Sequence, residues 1–213
     1  GMVAGITDTA VSANNTTGKI INEATITVAK DNSLGMYSTQ NGSTGENKGN
    51  IKVSADNTTG MFADNSSTMT NSSTIEVNSS TTANNYAAGM RAANSGTSKN
   101  AKDIKLNGKY TIGMFAGKNG TVENNENIIT AGTVSNSLGI AGKGTGAAVK
   151  NNKAIVLAGG TDNVGLYAAD KATAQTSSAS SITLTGDNGI GLYVDDATIS
   201  SYGGKTDVTG KGT

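Results

Sequence analysis

A repeat of about 25 residues constrains this chain more than any other feature. Its first phrase is Gly, then Met, Ile or Leu, then usually an aromatic, then usually Ala. It reads Gly35-Met36-Tyr37-Ser38, Gly60-Met61-Phe62-Ala63, Gly89-Met90-Arg91-Ala92 and Gly113-Met114-Phe115-Ala116. It continues as Gly139-Ile140-Ala141-Gly142, Gly165-Leu166-Tyr167-Ala168 and Gly191-Leu192-Tyr193-Val194, and a degenerate copy, Ala10-Val11-Ser12-Ala13, precedes them all. A second phrase, aliphatic, any residue, aliphatic, follows each first one. Examples are Ile26-Thr27-Val28, Ile51-Lys52-Val53, Ile75-Glu76-Val77, Ile104-Lys105-Leu106, Ile155-Val156-Leu157 and Ile182-Thr183-Leu184, with Ile128-Ile129-Thr130 the loosest. An Asn stands four residues ahead of most of these Ile residues (Asn22, Asn47, Asn71, Asn100, Asn124, Asn151), and Ser178 breaks the series. Ile20, Met69, Val122 and Val149 mark a weaker phrase between the two.

Alternation over three to five residues is the period of a strand. Gly, Asn, Ser and Thr make up 105 of the 213 residues, and such density disfavours helix. Each repeat therefore holds about three short strands, with one thin apolar face that it cannot bury alone. Stacking coil on coil buries it. The expected fold is all-β, a right-handed parallel β-helix of about eight coils, giving a rod roughly 40 Å long at about 4.8 Å per coil. The absence of Pro fits, because every interior strand needs its backbone N–H for the ladder. Residues 1–9 read as a cloning remnant or partial coil, 10–201 as the repetitive segment, and 202–213 as a terminal partial coil or frayed tail.

Equivalent positions in a solenoid form columns. By strand parity, Leu34, Ile112, Leu138, Val164 and Ile190 are expected to face inward together with Met36, Met61, Met90, Met114, Ile140, Leu166 and Leu192. The Asn column is expected at turns, where Asn tolerates left-handed backbone and stacked amides bond along the rod. Tyr37, Phe62, Phe115, Tyr167 and Tyr193 share one outward column, interrupted by Arg91, which is placed to lie over Phe62 or Phe115. Such a column either shields the backbone of strand glycines or offers a platform on which sugar rings stack. These six residues are the candidate ligand platform.

Composition narrows the chemistry. The chain has no His and no Cys, so zinc sites of the usual ligand types, haem sites and His-activated nucleophiles are outside its reach. The 16 basic and 16 acidic residues cancel and Arg91 is the sole Arg, so no nucleic-acid footprint is expected. No apolar run is long enough to span a bilayer as a helix. The acids are scattered, and Asp195-Asp196, the one adjacent acidic pair, has its side chains on opposite faces if it lies in a strand. No catalytic, metal or cofactor residues are assigned. The Thr-x-Thr pairs Thr25-Ile26-Thr27 and Thr183-Leu184-Thr185 do not extend into the regular array of an ice-binding solenoid.

The phrases from Gly113 to Asn124 and the Gly-Leu-Tyr-Ala of residues 165–168 resemble repeats of large autotransporter adhesins of fusobacteria and their relatives, over Ala10 to Val194. The resemblance implies a passenger segment of a type V secreted protein, displayed outside the cell by a separate outer-membrane barrel. It implies a monomeric, non-enzymatic stalk or adhesive surface whose partners are glycans or proteins on host or bacterial cells. A polysaccharide-cleaving or glycan-binding β-helix of the pectin-lyase type and a spacer without ligand are the alternatives.

Overall fold

The computed structural model describes residues 1–5, 17–78, 80–83 and 85–212. Within them, 24 short strands form three parallel eight-stranded sheets, each sheet taking every third strand of the chain. Sheet one runs from Met2–Ala4 to Ile190–Asp195, sheet two from Lys19–Asn22 to Thr198–Ser201, and sheet three from Ile26–Val28 to Lys205–Val208. Eight right-handed coils result, as the repeat predicts.

Side chains of like shape sit one above another, so each coil presents the next with the same surface. Sheet three stacks Ile26, Ile51, Ile75, Ile104, Ile128, Ile155 and Ile182 in register. Opposite it, sheet one stacks Met36, Met61, Met90, Met114, Ile140, Leu166 and Leu192. All of these except Ile26, Ile182 and Leu192 have no exposed surface. In sheet two the inward column is uneven. Gly45 lies beside Met69, whose thioether occupies the space that a Cβ on Gly45 would need. A flexible Met thus fills the gap its small neighbour leaves.

Both ends of the chain add strands to the rod. Met2–Ala4 is a rung of sheet one, with Met2 opposite Met36 and Val3 opposite Tyr37. Gly1-Met2-Val3-Ala4 therefore holds the place assigned to Ala10-Val11-Ser12-Ala13, a stretch that lies outside the described residues. The physical reason is that Gly-Met supplies the small and flexible residues that this corner packs. At the other end, Lys205–Val208 completes the eighth coil against Ser181–Leu184, with Thr206 and Val208 in the places of Ile182 and Leu184.

The parity argument fails at the glycines of sheet one. Leu34 and Ile190 are 37% and 42% exposed, Leu138 and Val164 are half-buried, and even Ile112 stays outside the main apolar cluster. The ladder skips each Gly: Leu34 pairs with Thr59 and Met36 with Met61, and the same gap recurs in every later coil. The strand kinks there, so Gly and the following Met both turn inward and the residue before Gly is left outside. A Cβ on Gly35, Gly60, Gly89, Gly113, Gly139 or Gly165 would lie 2.5–2.7 Å from the carbonyl oxygen of the next Gly in the column. Space, not a left-handed φ, fixes the residue type.

The two roles expected of one Asn column belong to two columns. Asn22, Asn47, Asn71, Asn100, Asn124 and Asn151 end the strands of sheet two, buried inside the rod. Each Nδ2 donates to the Oδ1 of the next, at 2.8, 2.9, 2.9, 2.9 and 2.8 Å. The following rung is Thr176 and not Ser178, because the turn before Ser181–Leu184 carries extra residues. The left-handed corner is a separate column ahead of sheet one: Asn32, Asn57, Tyr110, Asn136, Asp162 and Asn188, with φ between 51° and 58°. There Asn57 donates to Asn32 at 2.7 Å and Asn188 to Asp162 at 3.2 Å.

Candidate functional site

The kink that turns Gly and Met inward turns the next residue out. Sheet one therefore carries an outer column running Val3, Tyr37, Phe62, Arg91, Phe115, Ala141, Tyr167 and Tyr193, one residue per rung. All six platform residues fall in it. Tyr37 and Phe62 tilt against each other with centroids 5.5 Å apart. The Arg91 guanidinium lies between two rings, 5.5 Å from the centroid of Phe62 and 5.3 Å from that of Phe115. Tyr167 and Tyr193 stack at 5.1 Å with their planes 1° apart. The inward direction of the Gly positions bears on the shielding reading, since the room left by the missing side chains opens toward sheet three and not under the rings.

Burial sets the electrostatics of this face. It lowers the proton affinity of the Arg91 guanidinium below the ordinary value. It also pushes the Tyr37 phenol up, helped by Asp64, whose carboxylate accepts the phenol's hydrogen bond at 2.9 Å and opposed in part by Thr39.

Two features of the face are not expected from the sequence. The first is the row of residues before each Gly: Ile112, Leu138, Val164 and Ile190 lie outside, beside the aromatic column, and make the floor of a groove of about 560 Å³. The second is Tyr86, which forms an edge-to-face pair with Tyr110 at 6.2 Å and stands on the groove's rim. Tyr86 and Tyr110 sit four residues before Met90 and Met114, and Tyr110 takes the left-handed corner held elsewhere by Asn or Asp. A smaller hollow of about 130 Å³ lies between Tyr86, Arg91 and Phe115.

The segment leading to Tyr86 is pinned by Asp56. One carboxylate oxygen accepts hydrogen bonds from Ser80 Oγ (2.5 Å), Thr81 N (2.6 Å) and Thr81 Oγ1 (3.0 Å), with Thr82 N at 3.3 Å. These donors hold the carboxyl well below the usual carboxylate range. Among the described residues no group of three or more acids is placed to hold a metal ion, and no helix is long and apolar enough to cross a membrane.

What fold and face define together is a parallel β-helical rod with one aromatic-lined side. Residues 1–74, the first two coils and most of the third, match the family model of the BigA third pectate lyase-like domain. BigA is a bacterial surface protein of adhesin type, and over this stretch the chain is similar to its β-helical domain; "pectate lyase-like" names a fold. No curated protein and no solved structure shows significant similarity to the chain.

Proposed function

We propose that this chain is a passenger segment of an autotransporter-like bacterial surface protein, exposed outside the cell, and that it works without catalysis as a stalk with an adhesive side. The adhesive side is the outer face of sheet one, and its partners are glycans or proteins on host or bacterial cells. The observation that carries the reading is the column of rings and guanidinium on one face of a rod whose other described faces are mostly small or polar residues. Aromatic side chains with an apolar body and a planar face are what contact surfaces enrich. The absence of net charge favours stacking and hydrogen bonding over electrostatic steering. The similarity of residues 1–74 to a surface protein's β-helix supports the location.

Repetition suits the stalk role, because each coil templates on the one before and the stack needs no long-range assembly step. The test is an array of host-derived and bacterial glycans and extracellular proteins probed with the purified chain. The reading expects specific binding; a silent array reduces the segment to a spacer. Reducing ends or unsaturated products released from acidic or neutral polysaccharides would instead make it an enzyme of the pectin-lyase type.

A further inference from the structure

Between Tyr37 and Tyr193 the aromatic column has one missing rung. Ala141 stands in register between Phe115 and Tyr167, where every neighbouring rung carries a ring or the guanidinium plane. The two flanking rings are two rungs apart, roughly 9.6 Å at the usual strand spacing. A flat guest centred over Ala141 would lie about 4.8 Å from each, within the range for stacked rings. The filled rungs on either side repeat at 5.1 to 5.5 Å, so a guest there continues the ladder at nearly its own spacing. The groove of about 560 Å³ opens at this point, with Leu138 on its floor and Tyr86 at its side.

The corner column changes one coil before the gap, beside Phe115. Tyr110 holds φ at 54°, a conformation that disfavours a bulky side chain, where the equivalent residues are Asn or Asp. Its ring backs Tyr86 edge to face. A costly backbone thus supports a ring that lines the groove on the Phe115 side of the gap.

We infer that the gap over Ala141 is a subsite for one uncharged pyranose ring, held between Phe115 and Tyr167. It rests on the outer face of sheet one being the contact surface. The chemistry of the rim selects the guest. Lys143, the cation lining the groove, is paired with Asp170 at 3.6 Å, and Asp162, which accepts the amide of Asn188, keeps its negative charge, so the rim disfavours an anionic guest. Asn136 and Asp162 remain at the rim as partners for hydroxyls. A pyranose offers C–H faces to both rings and hydroxyls at its edge; a purely apolar guest leaves those polar groups without new partners.

The experiment is saturation-transfer NMR on the whole chain with methyl pyranosides of glucose, galactose, mannose and N-acetylglucosamine, and with p-cresol as the aromatic competitor. At least one pyranoside is expected to receive saturation on its C–H protons. Ala141→Tyr, which fills the gap with the ring type already in the column, is expected to weaken it about tenfold or more, while Ala141→Ser keeps it. Tyr86→Ser is the second variant, expected to weaken the same pyranoside if Ala141→Tyr does not fold. No transfer to any pyranoside, transfer to p-cresol alone, or equal transfer in Ala141→Tyr and wild type overturns the subsite. Array binding that survives Ala141→Tyr sinks the subsite and leaves the adhesive face standing; pyranoside binding with a silent array does the reverse.

Discussion

A Cβ on Gly113 would lie 2.5 Å from the carbonyl oxygen of Gly139, one coil further along the rod. The contact is to backbone, so no side-chain rearrangement relieves it, and the Ile128 side chain closes the space from sheet three. Gly113→Ala is expected to cost about 1–3 kcal/mol by overpacking. Gly132→Ala is the control, since nothing lies within 4 Å of its added Cβ; it is expected to change stability by less than about 0.5 kcal/mol. Urea denaturation of both variants measures the difference.

Asn124 links two neighbours in the buried amide ladder, accepting from Asn100 at 2.9 Å and donating to Asn151 at 2.8 Å. Asn124→Ala leaves the Asn100 amide without that acceptor and opens a void, and is expected to lose about 1–3 kcal/mol. The ladder ends at Asn151, whose buried Nδ2 has no hydrogen-bond partner because the next rung is Thr176. Thr176→Asn supplies the missing acceptor and is expected to raise the melting temperature. A lower value would mean that the two bonds of Thr176 Oγ1, donated to Gly203 O at 2.7 Å and accepted from Gly203 N at 2.9 Å, matter more.

Asp56 makes the segment before Tyr86 sensitive to acid. Its carboxyl is held below the ordinary value of 3.8, so its contribution is complete above that pH and is lost as the pH falls further toward the folded value. Amide exchange of Thr81 and Thr82, which donate to Asp56, is expected to quicken below about pH 3.8. At neutral pH Asp56→Asn is expected to reproduce it. Unchanged protection in that variant would show that the segment is held by other contacts.

Tyr110 at a φ of 54° is the one bulky residue in the left-handed corner column. Tyr110→Asn restores the residue type of Asn32, Asn57, Asn136 and Asn188. It is expected to stabilise the corner by about 0.5–1 kcal/mol and to free Tyr86, seen as loss of dispersion in the Tyr86 ring signals. A destabilised variant would mean that the edge-to-face pair outweighs the backbone cost.

The repeat made most of the rod legible, because a column whose residue type hardly changes, such as Ile51, Ile75 and Ile104, prints its period directly on the chain. The outward column was legible for the same reason, with Tyr37, Phe62 and Tyr167 all two residues after a Gly. Strict parity misplaced Leu34 and Ile190, since a two-residue period carries no sign of a kink that needs Gly. Counting back from Ile182 chose Ser178 over Thr176 because turn length varies while register does not. Tyr110 is a substitution in an Asn column, visible only once Asn32, Asn57 and Asn136 are known to be equivalent. The period does not reveal the rung at Gly1-Met2, because its spacing to Gly35 exceeds that between the other copies.

The central claim is that the outer face of sheet one binds and the interior holds the rod together. Tyr167 stacks on Tyr193 outside the apolar cluster, so Tyr167→Ser separates the two roles. The measurement is array binding and thermal unfolding of this variant beside wild type. The account predicts loss of the specific signals with the melting temperature lowered by no more than about 2–4 °C, as expected for about 1 kcal/mol in a chain of this size. Retained binding, or a collapse of the melting temperature, would contradict it and make the column part of the scaffold.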